Sequence, residues 1–195
     1  MISVIDYGSG NIQSVINVLD ELAVQYIVTN RESDVCKSDK IIFPGVGEAS
    51  FAMRRLDLLN LSTLLRVTKK PMLGICLGLQ LMCEKSEEGN SICLGTFPST
   101  SLKFNETKVK VPHMGWNKIT YSKKSKLFEN IPEGTYFYFA NSYYVPLNQY
   151  TSAFTEHDVK FSTSVEKDNF FGVQFHPEKS GKAGTQLIKN FIELC

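Results

Sequence analysis

The chain has 195 residues, a formal net charge of +1, a hydrophobic content of 43% and a charged content of 21%. These proportions are ordinary for a soluble globular protein, and so small a net charge excludes a global field that would attract nucleic acid or an anionic membrane. The length favours one domain, spanning residues 1–195, that is large enough to bury a real core.

The N-terminus and the cysteines both indicate a reducing compartment. Residues 1–8 lack a basic segment followed by a long apolar run, so we predict no signal peptide, and no apolar run elsewhere approaches the length of a membrane span. The five cysteines are odd in number and show no paired C-x-x-C spacing, so they indicate neither a disulfide framework nor a zinc site. We therefore expect a cytoplasmic protein with no metal ion and no cofactor.

The first half of the chain alternates short apolar runs with stretches of helical periodicity. Apolar residues at helical spacing, including Ile12, Val15 and Leu19, predict an amphipathic helix directly after the first turn. Strands that alternate with helices are typical of a parallel sheet in an α/β fold. Strands are predicted at residues 2–6, 25–29 and 40–43 and in the run from Pro71 to Cys76, and further helices at residues 49–60 and 61–69.

The second half changes in character after about Ser91, where short β-like runs are separated by turns rich in Asn, Gly, Pro and Lys. Such runs predict antiparallel strands that extend the same domain. A final stretch with apolar residues on one face, among them Leu187 and Phe191, predicts a C-terminal helix. The predicted strands are residues 109–111, 116–121, 136–139, 152–155, 162–165 and 170–175, and the predicted helix is 182–194.

The motif Gly74-Ile75-Cys76-Leu77-Gly78 lies where the fourth strand is predicted to turn into a helix. A nucleophile on such a sharp turn needs small residues two positions before and after it, because neighbouring backbones pass close to it. The N-terminus of the following helix favours a thiolate over a thiol. Cys76 is therefore the candidate nucleophile. Its structural alternative is a small buried hydrophobic residue, as free cysteines often are.

The candidate base is His176, at the end of an apolar strand that Pro177 terminates. Glu178 can hold the imidazole in one tautomer while the other ring nitrogen faces a thiol, as in a Cys–His–acid triad. His113 is a second candidate base, although no acidic residue follows it closely, and His157 is predicted in a surface turn. Taken alone, His176 and Glu178 also fit a strand-end histidine and a solvated carboxylate.

An attack on an amide also needs hydrogen-bond donors for the oxyanion that forms. The turn at residues 44–47 ends a neighbouring strand, and its glycines allow a backbone N–H to point at a ligand. The N–H of Leu77, directly after the candidate nucleophile, would be the second donor. Without Cys76 beside it, the same segment would be interpreted as an ordinary Gly/Pro turn.

Together these motifs resemble the class I (triad) glutamine amidotransferases. The segments around Cys76 and His176 match the two main motifs of that family, in order and in their separation of 100 residues (176 − 76). The match narrows to the glutaminase subunits of imidazole glycerol phosphate synthase on residues 44–47, 112–117 and 172–181. The resemblance runs essentially from end to end. It implies a single-domain α/β fold with a flavodoxin-like central parallel sheet flanked by helices, and an antiparallel β extension.

The resemblance implies a role for each matching residue. Cys76 attacks the side-chain amide of glutamine, His176 protonates the departing ammonia and then activates water, and Glu178 orients His176. The backbone around Gly45, Val46 and Leu77 would bind the oxyanion, and Gln80, Glu88, Ser142 and Tyr143 would hold the glutamine.

The resemblance also implies a protein partner. In the family, ammonia passes to a (β/α)8-barrel cyclase subunit, where it joins a ribulosyl carboxamide nucleotide to give imidazole glycerol phosphate and an aminoimidazole nucleotide in histidine biosynthesis. Asn11 and Ser14, near the first helix, match positions expected at the interface of that heterodimer. The residues themselves also favour a partner. The triad, its sheet and the β extension account for the whole chain, so no second domain remains to bind an acceptor. The chain also has no Gly-x-x-x-x-Gly-Lys loop that would bind a nucleotide.

One position departs from the family pattern. The family usually has His where this chain has Asn141, and Asn can donate and accept hydrogen bonds but cannot carry charge. The departure bears on glutamine affinity or on coupling to the partner. It keeps open a paralogous glutaminase subunit that supplies ammonia to another synthase, for instance in bacterial surface-sugar biosynthesis. Two further hypotheses are a catalytically silent subunit and a Cys hydrolase that acts on peptides or γ-glutamyl conjugates.

Overall fold

The computed structural model describes residues 1–8 and 12–195, which form one large mixed sheet, a separate two-stranded sheet and the helices packed on them. The strands are β1 (Ile2–Ile5), β2 (Tyr26–Thr29), β3 (Lys40–Gly45), β4 (Met72–Cys76), β5 (Cys83–Ser86), β6 (Ser91–Ile92), β7 (Phe97–Lys103), β8 (His113–Lys118), β9 (Thr120–Tyr121), β10 (Tyr136–Asn141), β11 (Tyr143–Pro146), β12 (Thr151–His157), β13 (Val159–Lys167) and β14 (Phe170–Val173). The helices are α1 (Ile12–Glu21), α2 (Glu32–Lys37), α3 (Ala49–Leu58), α4 (Leu61–Val67), α5 (Leu77–Met82) and α6 (Gly181–Leu194), with 3-10 turns at Glu88–Asn90, Lys126–Phe128 and Pro177–Lys179.

Parallel strands form the central part of the large sheet, in the order β2-β1-β3-β4-β14. β1 pairs with β2 and β3, and β4 pairs with β3 and β14, all in parallel. The sequences of β1 and β4 are short, almost entirely apolar and buried along their whole length, as expected of strands covered on both faces. The predicted parallel sheet is confirmed, and its strand order is that of a flavodoxin-like fold.

Antiparallel strands extend this sheet beyond β14, as predicted. β13 pairs antiparallel with β14, β12 and β11, and β11 continues to β7. At the far edge β7 pairs with β5 in parallel, and β5 pairs with β6. β8 and β10 form the separate antiparallel pair.

Several local predictions differ from the structure. The prediction of a strand at residues 109–111 is wrong, because the N–H groups of Lys108 and Val109 donate to the carbonyl of Asn105 and close a turn there. Helix α2 is missing from the sequence prediction, and at six residues it is too short to show clear periodicity. β5, β6, β7 and β11 are also missing from the sequence prediction. β3 continues two residues beyond the predicted end at 43 because its backbone still pairs with β4 there.

The helices pack in two layers with separate buried cores. Helices α1 and α6 share one core with strand β10, and helices α3, α4 and α5 share the other. The apolar stripes predicted for α1 and α6 supply the first core, since Val15, Leu19, Leu187 and Phe191 are all fully buried. Among the described residues, no helix has both the length and the apolar content that crossing a bilayer requires.

Candidate active site

Three parallel strands end side by side at one edge of the sheet. Gly45, the last residue of β3, pairs with Cys76, the last residue of β4. On the other side of β4, Val173 at the end of β14 pairs with Ile75. Residues just beyond β14 therefore lie beside Cys76. The carboxyl edge of a parallel sheet is where open α/β proteins bind their ligands.

Cys76 occupies the sharp turn between β4 and α5. Its backbone has φ +54° and ψ −109°, a conformation that a non-glycine residue adopts only when the surrounding structure imposes it. A Cβ atom added to Gly78 would lie 1.9 Å from the carbonyl oxygen of Phe43, and one added to Gly74 would lie 2.9 Å from the carbonyl carbon of Gly78. Both flanking positions therefore require glycine, because backbones approach closely on each side of the turn.

His176 and Glu178 follow β14 and contact each other. Nδ1 of His176 lies 2.7 Å from Oε1 of Glu178, and the two side chains are only 3% and 4% exposed. The N–H of His176 donates to the carbonyl of Tyr138, and the hydroxyl of Ser180 donates to the carbonyl of His176. Because Glu178 accepts from Nδ1, the nitrogen left for a second partner is Nε2.

The second partner of the His176 imidazole is the sulfur of Cys76. Burial disfavours the charged imidazole, but the charge and hydrogen bonding of the Cys76 sulfur, followed by those of the Glu178 carboxylate, outweigh it and raise the pKa of His176 to about 10. The imidazole is therefore protonated at neutral pH. The imidazolium is thus a proton donor that lies against the sulfur of the candidate nucleophile.

A cleft of about 140 Å³ opens next to Cys76. Its sides come from the turn after β3, the start of α5, the 3-10 turn at Glu88 and the β10–β11 connection. The lining residues are Val46, Gly47, Cys76, Leu77, Gln80, Glu88, Ala140, Asn141, Ser142 and Tyr143. The cleft thus collects six of the seven residues predicted to bind substrate, while Gly45 is buried at the end of β3 and does not line it.

Glu88 presents a partly buried carboxylate to the cleft. Its Oε2 accepts a 2.8 Å hydrogen bond from the N–H of Ala49, the first residue of α3. Burial raises the pKa of the Glu88 carboxyl, the Ala49 N–H opposes this rise, and the neighbouring Glu48 carboxylate adds to it. A cationic group in the cleft would offset both the burial and the repulsion, so this side of the cleft suits an ammonium group.

Asn141 supports the β10–β11 connection from inside. The residue is 4% exposed, and its Nδ2 donates a 2.9 Å hydrogen bond to the carbonyl of Tyr143. Its Oδ1 is buried without a hydrogen-bond partner among the described residues. Asn141 therefore helps to hold the short segment that carries Ser142 and Tyr143 into the cleft.

His113, the second candidate base, is a core residue. It is buried, and its ring packs against Phe139 and His157 with centroid distances of 4.8 and 4.2 Å. Burial, and then the charge of His157, lower the pKa of His113 to about 4, so its ring is neutral at physiological pH. The prediction of a surface turn at His157 is wrong, because this partly buried residue ends β12.

In the described part of the chain, no three His, Cys, Asp or Glu side chains are arranged as metal ligands.

Of the two residues predicted at a partner interface, Ser14 lies away from the cleft. Ser14 lies in the first turn of α1 and lines a second cavity, of about 260 Å³, that also contacts Glu178. Asn11 lies outside the described residues. The structure therefore connects only Ser14 to the site, through the cavity that Ser14 and Glu178 both line.

One residue at the sulfur is absent from the sequence prediction. Gln174, the first residue after β14, is fully buried, and its Nε2 lies 3.7 Å from Sγ of Cys76. In the sequence, the feature that could have indicated this residue is a single polar amide inside the apolar run 170–175, two residues before His176.

Comparisons with known proteins agree on one family. The family model described as glutamine amidotransferase class-I matches residues 3–194. Imidazole glycerol phosphate synthase subunit HisH of Bacteroides fragilis is 47% identical over 195 residues, and that of Buchnera aphidicola subsp. Acyrthosiphon pisum is 44% identical over 194, each match covering 99% of both chains. A solved glutamine amidotransferase has a TM-score of 0.77 at 14% identity, covering 99% of this chain and 97% of that one. At such identity the structural likeness concerns the fold.

Proposed function

The chain belongs to the glutamine amidotransferase class-I family and to its HisH branch, and on that basis we propose that it is the glutaminase subunit of imidazole glycerol phosphate synthase in histidine biosynthesis. It hydrolyses glutamine to glutamate and ammonia through a thioester on Cys76. The ammonia passes to a (β/α)8-barrel cyclase subunit that makes imidazole glycerol phosphate and aminoimidazole carboxamide ribonucleotide. The observation that carries the proposal is the buried His176–Glu178 pair against Cys76, with a 2.7 Å contact between its members, beside a small cleft.

The chemistry follows from the charges of the three residues. The Cys76 thiolate attacks the carboxamide carbon of glutamine, and the carbonyl oxygen becomes an oxyanion. His176, protonated at neutral pH because its pKa is raised to about 10, donates its proton to the departing nitrogen, which leaves as ammonia. The thioester then reacts with a water molecule whose proton His176 accepts, and glutamate leaves as the thiolate is restored.

The cleft supplies the groups that recognise glutamine. The backbone N–H of Leu77, at the start of α5, and the backbone at Val46, directly after the buried Gly45, bind the oxyanion. The carboxylate of Glu88 pairs with the α-ammonium group, which relieves the burial and repulsion that raise its pKa in the free protein. Gln80, Ser142 and Tyr143 complete the contacts around the substrate.

The partner is required because the product ammonia would be protonated in water and cease to be a nucleophile. In our proposal residues 1–195 are the glutaminase domain, and the cyclase subunit docks over the site as the second chain of a heterodimer. Ser14 and Asn11 contact that partner, and Ser14 lines a cavity that touches Glu178. The five cysteines are free thiols, which suits a cytoplasmic enzyme.

The test measures glutamate release from glutamine by the chain alone and after addition of the cyclase subunit with its nucleotide ligand. We expect low activity alone and a large stimulation by the liganded partner. Cys76→Ala removes the nucleophile and should lower both rates by about 10⁴-fold or more. Cys36→Ala, which removes an exposed thiol elsewhere, is the matched control and should leave both rates unchanged.

Two outcomes would contradict different parts of the proposal. Glutamine turnover that does not respond to the cyclase subunit would support the glutaminase chemistry but refute the assignment to histidine biosynthesis. That outcome would indicate a paralogous subunit of another synthase. Glutamate release by Cys76→Ala at the wild-type rate would refute the chemistry itself.

A further inference from the structure

The side-chain amide of Gln174 contacts the nucleophile from the interior of the protein. Its Nε2 lies 3.7 Å from Sγ of Cys76, within reach of an N–H···S hydrogen bond. Gln174 is fully buried and does not line the cleft, so it meets the sulfur from a direction that leaves the cleft open to a substrate. A buried amide is costly unless its polar atoms are paired, and here the sulfur is the partner of the nitrogen.

A neighbouring amide fixes which end of Gln174 faces the sulfur. Nε2 of Gln80 lies 3.0 Å from the carbonyl oxygen of Tyr143 and 3.1 Å from Oε1 of Gln174. The Tyr143 carbonyl can only accept a hydrogen bond, so the NH₂ group of Gln80 must face it. That same NH₂ group can donate only to the oxygen of Gln174, because a reversed Gln174 amide would set two donors against each other. The NH₂ group of Gln174 is therefore the end that faces Sγ.

The backbone register holds Gln174 in this place. Val173 pairs with Ile75 in the parallel β14–β4 ladder, so the next residues along the two strands are Gln174 and Cys76. On its other side, the backbone N–H of Gln174 donates a 2.9 Å hydrogen bond to the carbonyl of Thr163 in β13. Pairing with strands on both sides thus determines the distance between the amide and the sulfur.

We propose that Gln174 is a further catalytic residue of the glutaminase, whose Nε2–H donates a hydrogen bond to the Cys76 thiolate and holds the charged sulfur in position for attack. This role rests on the proposed function, because it concerns the same nucleophile. The thiol proton goes to His176, and Gln174 neither gains nor loses a proton. A hydrogen bond to a charged acceptor is roughly twice as strong as one between neutral groups, so the amide favours the thiolate over the thiol.

The test compares the rates at which iodoacetamide alkylates Cys76 in wild-type protein and in Gln174→Met, without glutamine or partner. Methionine keeps the length of the side chain and removes the N–H donor. We expect alkylation of the Cys76 peptide at pH 7 to slow by about tenfold to a hundredfold. Gln186→Met is the matched control, because the Gln186 amide bonds Asn190 on α6, and its Cys76 should react as in wild type.

A pH series separates loss of the donor from a general disturbance of the site. The titratable groups that face the sulfur are His176 with Glu178 behind it, and Glu88 and Tyr143 across the cleft; all of them are retained in the variant. We expect the alkylation profile of Gln174→Met to move to higher pH and to approach the wild-type rate at the alkaline end. A variant that stays slow at every pH would indicate a merely structural role and would overturn the proposal.

A second variant keeps the proposal testable if Gln174→Met folds poorly. Gln174→Glu keeps the shape of the side chain and replaces the donor with an oxygen, so it should slow alkylation at pH 7 at least as much. Wild-type reactivity in a folded Gln174 variant would overturn the proposal. If Cys76 of the wild-type protein reacts no faster than the exposed Cys36, the proposed function fails instead, and the two failures are thereby distinguished.

Discussion

A single buried imidazole dominates the electrostatics of the site. The side chain of His176 is 3% exposed, and an isolated imidazole so placed would be neutral because burial disfavours its charge. The sulfur of Cys76 and the carboxylate of Glu178 reverse that preference and raise the pKa of His176 to about 10, against 6.5 for an ordinary histidine. The proton needed for the leaving group is therefore stored in the resting site.

The same pKa shift predicts a dependence of stability on pH. Because the pKa of His176 is raised in the folded state, its protonation stabilises the fold fully below about pH 6.5 and ceases to do so as the pH rises through about 10. The contribution that is lost is on the order of a few kcal/mol. We expect the difference in Tm between wild type and His176→Gln to shrink steadily from pH 7 to pH 10. A difference that stays constant over this range would contradict the raised pKa.

At the scale of elements, helix α6 supports the turn that carries Glu178. The 3-10 turn Pro177–Lys179 runs directly into α6, and a Cβ atom added to Gly184 would lie 1.8 Å from the carbonyl oxygen of Pro177. The helix therefore reaches the turn only because position 184 has no side chain. The position of the candidate acid thus depends on the packing of a helix that contributes nothing to the cleft.

Gly184→Ala should move the turn and the helix apart. The clash is with backbone, which cannot rotate away, and such overpacking costs about 1–3 kcal/mol of stability. We expect a lower Tm and a fall of at least tenfold in kcat/KM for glutamate release, measured with the partner present. Lys182→Ala, an exchange at an exposed position near the start of the same helix, is the control and should retain both values. Full activity in Gly184→Ala would show that Glu178 does not depend on this contact.

At the scale of the whole molecule, the two faces of the sheet differ in their relation to the site. Helices α1 and α6 lie on one face, and Ser14 of α1 lines the cavity that touches Glu178. Helices α3, α4 and α5 lie on the other face. A partner bound at α1 therefore adjoins the candidate triad, whereas the outer surface of α4 belongs to the opposite layer.

This arrangement predicts where a bulky charge weakens the complex. Ser14→Arg should raise the Kd for the cyclase subunit at least tenfold, because a bulky guanidinium group would replace a small hydroxyl at the interface that we propose. Ser62→Arg makes the same exchange at a position of similar exposure on α4 and should leave the Kd unchanged. Isothermal titration calorimetry gives both values. Equal Kd values for Ser14→Arg and wild type would place the interface elsewhere.

Patterns that are local in the chain were predictable. The periodicity of α1 and α6 and the apolar runs of β1 and β4 are local properties, and the parallel sheet followed from their alternation. The glycines around Cys76 indicated the close turn, because only a small residue permits backbones to approach there. Short or irregular segments were not predicted, since a helix of six residues such as α2 carries too little pattern, and the turn that begins at Asn105 includes Val109, the first residue of the strand predicted at 109–111.

By itself, then, the sequence determined the parallel sheet, the turn at Cys76 and the proximity of His176 to Glu178, because each depends on neighbours within a few residues. The tertiary structure alone decided which distant groups meet. It set Gln174 against Cys76 across 98 residues of chain, and Gln80 against the carbonyl of Tyr143 across 63. It also buried His113 against His157 and so removed it as a base. These contacts arise from strand register and packing, and no local pattern of side chains encodes the partner of a buried amide or imidazole.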